Sequence, residues 1–218
     1  MHTDEAIHSR RTVKILSESD LPTSDRSATV NELLALAGMA PFHRACEEHH
    51  RQSSPQAGIE PWRFHVLNAT ACRKLRTQIP LENAGKIPAM LAAADALIMA
   101  TWLPNAGQAS SVLQASDLSD EPSFAPTINN MEHIAAASAA IQNLLLAATA
   151  RGVSNYWSSG GVLRSTQVFQ LLGIPRAQIL LGAIFLFPNE YGDAEIATSK
   201  LREHRGSREA WSRWVKLD

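Results

Sequence analysis

Three short stretches hold most of the side chains whose types and spacing suit chemistry. Arg10-Arg11-Thr12-Val13-Lys14 puts three cations and a hydroxyl into five residues. The planar fork of a guanidinium matches the oxygens of a phosphate, and a nearby hydroxyl and backbone amides complete the donor set. The same run also suits a solvated basic patch at a helix end, where cations offset the helix dipole. His43, Cys46, His49 and His50 bring potential metal ligands onto roughly one helical face. Glu47, Glu48 and Arg51 interleave with them as an exposed polar segment would, and no second distant ligand pair follows, so no metal site is expected. Trp157-Ser158-Ser159-Gly160-Gly161 is a small-residue loop whose amides can approach a planar ligand; its bland alternative is a glycine turn. GxGxxG, GKS/T, GxSxG and HExxH are all absent, which removes dinucleotide folds, P-loops and the common hydrolases.

These stretches need elements to position them. A short helix over Asp4–Ser9, with two acids in its first turn, leads into the basic run. Thr29 is placed to cap a second helix, in which Leu33, Leu34, Ala37 and Met39 recur at helical spacing until Pro41. Residues 44–58 read as a surface insertion: a helical turn followed by turn formers. Trp62–Leu67 alternates apolar and polar side chains as a half-buried strand does. Ala96–Trp102 and Ile179–Phe187 are continuously apolar, as strands covered on both faces are. Met131–Arg151 is the strongest helix, with Asn129 and Glu132 at capping-box spacing and Gly152 at the C-terminal stop. Its faces are nearly all alanine or leucine, so burial on every side is expected. Residues 103–130 read as a lid-like loop, and a further helix over Ser165–Leu172 follows the glycine pair.

Helices separated from buried strands indicate an α+β fold, and no linker divides the 218 residues, so one domain is expected over 1–218. Twenty Lys and Arg against twenty-one Asp and Glu leave a net charge of −1, which gives no case for nucleic-acid or membrane partners. Two cysteines cannot build a disulfide framework, and the charged beginning MHTDEAIHSRR has no apolar run behind it; a cytoplasmic setting is expected. The basic segment 200–218 carries Trp211 and Trp214, spaced to dock one face on the protein or on a partner subunit.

In order along the chain, these pieces resemble the nitroreductase superfamily. AIHSRRTVKIL is similar to its I-x-x-R-R-S-x-R/K motif. AGMAPFHR with EPWRFHVL is similar to A-P-S/D-x…N-x-Q-P-W-x-F. EHIAAASAAIQNLLLAATARGVSNYWSSG and LLGIPRAQILLGAIFLFPN resemble its long helix with the following loop and its L-G-I-P strand. The resemblance implies α/β/α layers around a small, mixed but mainly antiparallel sheet, in an intertwined homodimer with FMN at the subunit interface. It implies that Arg10, Arg11 and Thr12 hold the FMN phosphate and ribityl chain, with Lys14 near the pyrimidine edge. Pro41 and His43 would come from the loop after the second helix, and Trp157, Ser158, Ser159 and Gly160 would face flavin N5. It further implies an FMN-dependent oxidoreductase that passes hydride from NAD(P)H to a small electron-poor acceptor (nitroaromatic, quinone or enone) by ping-pong turnover, with no protein nucleophile.

Gly58 and Glu60 stand where the superfamily has Asn and Gln, and the stretch from His43 to Pro61 is longer than in its minimal members. Those departures keep an alternative open: a flavin-binding or metal-binding protein of the same fold without efficient turnover.

Overall fold

The computed structural model describes residues 2–52, 56–105 and 124–217. Helix α1 (Thr3–Ser9) carries Asp4 and Glu5 in its first turn and leads into strand β1 (Val13–Leu16). Next come α2 (Ser27–Ala37), the short α3 (Glu48–Gln52) and β2 (Trp62–Asn68). Asn68 then caps α4 (Ala69–Arg76) by accepting from the Ala71 amide at 2.9 Å. Helix α5 (Ile87–Ala93) precedes β3 (Ala96–Trp102) and the long α6 (Ile128–Ala150). The chain closes with β4 (Asn155–Ser158), α7 (Thr166–Leu172), β5 (Ile179–Leu186) and β6 (Glu195–Thr198).

Four strands form one sheet in the order β2-β3-β5-β4, and β1 pairs with β6 in a second, two-stranded sheet. Every pairing among the described residues is antiparallel, so the expected mixed character is absent there. The fold is α+β in three layers. On one face Leu97 and Met99 of β3 meet Leu75 of α4, Leu91 of α5 and Phe169 of α7. On the other, Ile98, Ala100 and Trp102 meet Leu33 of α2 and Ala137, Ile141 and Leu144 of α6. The unbroken apolar run of β3 follows from this double coverage. A bulge pairs Ala100 with Gly182 and Thr101 with Leu180, and it shifts the β5 alternation just where the 157–161 loop approaches.

Several boundaries differ from the sequence expectation for identifiable reasons. Helix α2 starts at Ser27, whose amide is held by the Asp25 carboxylate at 2.9 Å, rather than at a Thr29 cap. Helix α6 starts a turn early because the extended Thr127 accepts from the Asn130 amide. The Asn129–Glu132 capping box is therefore not formed, and Glu132 pairs with Arg44 at 2.8 Å instead. Within the chain α6 is buried on one face, with Ile128 and Met131 exposed, so burial on every side does not hold. By length and composition α6 could cross a membrane, but its buried face packs on the sheet and α2. Most of the 103–130 stretch lies outside the described residues. Its near end is fastened by buried side chains: His133 to the Leu103 carbonyl (2.7 Å), His50 to that of Pro104 (2.8 Å) and Asn130 to that of Asn105 (3.2 Å).

Candidate cofactor site

Strand β6 returns the chain beside β1, pairing Val13 with Thr198. Residues 199–205 therefore arrive next to the end of α1. There Arg202 donates to the Arg10 carbonyl at 2.7 Å and to the His8 carbonyl, satisfying the last carbonyls of the helix. The Arg10 guanidinium is pushed below its ordinary pKa, first by burial and then by Arg205 and Arg202 beside it. Arg10, Arg202 and Arg205 thus bring three guanidiniums together at the C-terminal end of α1, where cations offset the helix dipole. Arg11, the next residue, is exposed, and Thr12 is half-buried.

The second part of the site is the end of β4. Ser158 is buried, and its Oγ accepts from the Gly160 amide at 3.2 Å. Arg164 donates through Nε to the Ser159 carbonyl and through Nη1 to the Leu180 carbonyl at 2.7 Å, clamping the loop onto β5. Gly160 has φ 107°, a backbone that favours glycine, and a Cβ there would stand 2.6 Å from Leu180 Cδ2. Trp157, paired with Ile184 of β5, reaches over Gly182, where no side chain stands in its way: a Cβ on Gly182 would fall 1.9 Å from Trp157 Nε1. Lys14 bridges the two parts, with Nζ 4.7 Å from the centroid of the Tyr156 ring.

Pro41 and His43 are not part of this assembly within one chain. Both are exposed, and Phe42 between them packs edge-on against Trp62 at 5.6 Å. Trp62 belongs to β2, the sheet edge opposite β4, three strand spacings or about 14 Å away. The insertion residues also separate. His50 is buried on the Pro104 carbonyl, with burial lowering its pKa, and the tilted ring of His49 lies beside it, 3.9 Å between centroids. Cys46 is buried against the Gly58 carbonyl, and the buried Arg63 donates to the carbonyls of Gly58, Glu60 and Trp62. Among the described residues, no group of three or more His, Cys, Asp or Glu is arranged to hold a metal.

Arg202 and Arg205 are residues that sequence reasoning left in the tail; only the β1–β6 pairing brings them to Arg10. Asn83, exposed in the turn that leads to Ile87, is the only described non-glycine residue with positive φ (61°), a backbone conformation asparagine tolerates in turns. The segment 83–87 contains no signal in the sequence beyond an Asn at a turn.

A basic end of α1 and a clamped glycine loop at the end of β4 are carried on an α/β/α sandwich. The chain belongs to the Nitroreductase family, whose family model matches residues 7–186. It is similar in structure to a nitroreductase-like family protein from Bacillus cereus, with TM-score 0.57, 20% identity and coverage of 96% of this chain and 97% of that one. A putative nitroreductase in complex with FMN from Desulfovibrio desulfuricans gives TM-score 0.58 at 18% identity, covering 100% and 99%. A nitroreductase with bound FMN from Bacteroides fragilis gives 0.54 at 15%, covering 99% and 100%. These likenesses establish the shared fold. No match is found among curated proteins.

Proposed function

We propose that the protein is an FMN-dependent oxidoreductase that takes hydride from NAD(P)H and delivers it to a small electron-poor acceptor such as a nitroaromatic, quinone or enone. The observation that carries this reading is the cluster of Arg10, Arg202 and Arg205 at the end of α1, linked through Lys14 on Tyr156 to the strand that carries the clamped Ser158–Gly160 loop. Arg10, Arg202 and Arg205 hold the phosphate, and Arg11 and Thr12 supply further donors toward the phosphate and ribityl chain. Lys14 places a positive charge at the pyrimidine edge, where a reduced flavin gathers negative charge. Trp157, Ser158, Ser159 and Gly160 present backbone toward N5 with no Cβ at position 160 to block approach. FMN, when bound, supplies the two-electron chemistry, and no side chain of this protein acts as nucleophile. NAD(P)H and the acceptor occupy the same open face in turn, which makes the kinetics ping-pong.

The site is completed by a second copy of the chain. Pro41 and His43 lie across the sheet from Gly160 in their own chain, so their place at the flavin requires the partner's loop. The exposed Trp211 and Trp214 then dock on the partner subunit. A cytoplasmic setting belongs to the same reading, supported by two free, buried cysteines.

Purified protein tests this directly. The expected result is a flavin absorbance spectrum, acid release of FMN identified by chromatography, and NAD(P)H oxidation that depends on a quinone or nitroaromatic. A colourless protein that takes up no FMN refutes the reading. FMN binding without acceptor-dependent turnover supports the flavin-binder alternative.

A further inference from the structure

We infer that Tyr156 is a positioning residue for the flavin chemistry, its ring holding the Lys14 ammonium in one place as an uncancelled positive charge. The inference rests on the FMN reading above and adds to it the group that fixes the charge at the pyrimidine edge.

Lys14 stands on β1 and Tyr156 on β4. The Lys14 Nζ lies 4.7 Å from the centroid of the Tyr156 ring, inside the reach of about 6 Å over which an aromatic face attracts a cation. Both side chains are half-buried, and partial desolvation strengthens that attraction. Among the described residues the only lysine in an ion pair is Lys86, so no carboxylate competes with the ring for Lys14. A carboxylate in the ring's place would hold the ammonium but cancel most of its charge. A ring attracts it through the negative charge on its face and adds no net charge of its own.

The ring is itself fixed. Tyr156 pairs with Phe185 of β5 and stacks with it, centroids 6.4 Å apart and planes 21° from parallel. Phe185 in turn lies 6.1 Å from Phe187, and both are fully buried. Tyr156 is thus the outer end of a row of three rings packed into the Leu97 and Met99 side of the core. A lysine ammonium on its flexible four-carbon stem can occupy many positions; a ring anchored in this way selects one region for it. The next residue, Trp157, points to the other face of the sheet and reaches over Gly182, and Ser158–Gly160 follow. One strand therefore places both the Lys14 charge and the loop assigned to N5.

The test is the midpoint potential of the protein at saturating FMN, measured by spectroelectrochemical titration. The wild type is compared with Tyr156→Phe, Tyr156→Leu, Lys14→Gln and the double variant Tyr156→Leu, Lys14→Gln. A positive charge held at the pyrimidine edge favours reduced over oxidised FMN. Tyr156→Leu should weaken that preference about three- to tenfold, a fall of about 15 to 30 mV for a two-electron couple. Tyr156→Phe keeps the ring and should stay within about 1.5-fold of wild type, or about 5 mV. In the Lys14→Gln protein, Tyr156→Leu should change nothing, because the ring then has no charge to hold. 4-Cyanophenylalanine at position 156, close to tyrosine in shape but with an electron-poor ring, guards against a folding defect and should lower the potential as leucine does. The inference is overturned if FMN binds and the leucine and cyanophenylalanine proteins keep the wild-type potential; the flavin reading then stands. Equal shifts with and without Lys14, or a Tyr156→Phe protein that falls as far as Tyr156→Leu, overturn it too. A wild type that takes up no FMN overturns both the inference and the reading beneath it.

Discussion

Replacing Arg10 by Gln removes one guanidinium from the cluster and leaves the hydrogen bond from Arg202 to the Arg10 carbonyl in place, since that bond uses only backbone. In the ligand-free protein the charged neighbours of Arg10 are Arg205 and Arg202, and burial adds to their repulsion. Both effects disfavour the charged form in the folded state, so deleting the charge should leave the apoprotein as stable as the wild type or slightly more so. With a phosphate present the sign reverses. A hydrogen bond to a charged group contributes about 1.5 to 3 kcal/mol, and about 1.4 kcal/mol is one decade. Arg10→Gln should therefore weaken FMN binding by about ten- to a hundredfold. Riboflavin, which has no phosphate, should bind both proteins alike. The assay is fluorescence titration of the apoprotein with each flavin, together with urea unfolding of both apoproteins. FMN affinity within about twofold of wild type refutes the phosphate assignment. Equal losses for FMN and riboflavin, with lowered apoprotein stability, would instead assign Arg10 a structural role at the end of α1.

Further expectations rest on other parts of the structure. Gly182→Ala forces Trp157 off β5, because the new Cβ would lie 1.9 Å from its Nε1; urea unfolding should show a loss of about 1 to 3 kcal/mol, and unchanged stability would contradict the placement of Trp157. Burial pushes the Cys72 thiol up to about 12, so it should resist alkylation at about pH 8.5, where an exposed thiol is half ionised, and react only in denaturant. Since the unfolded thiol ionises first, stability falls as pH rises from about 9 toward about 12, and Cys72→Ala should flatten that slope. Trp211 and Trp214 are 73% and 91% exposed and do not dock on their own chain. Light scattering should find a dimer at micromolar concentration, and the double variant Trp211→Ser, Trp214→Ser should shift it toward monomer.

The parts of this protein legible in its sequence are those set by local periodicity and local chemistry. The continuously apolar runs at 96–102 and 179–187 announced strands with both faces covered, because no other environment suits them. Gly152 marked the end of α6 through its left-handed backbone, at φ 69°. The ordered motifs from AIHSRR to LLGIP were enough to identify the family. Strands β1, β4 and β6 were not legible: each is four residues long, too short to show a period of two, and each is stabilised by a partner distant in sequence. The same limit hid the arginine cluster. Nothing near residue 202 indicates that it meets residue 10; a ladder between β1 and β6 brings them together, and guanidiniums that repel one another leave no complementary pattern to read. The Asp95–Arg26 ion pair is the extreme case. Its partners are 69 positions apart in the chain, and only the packed layers bring them together.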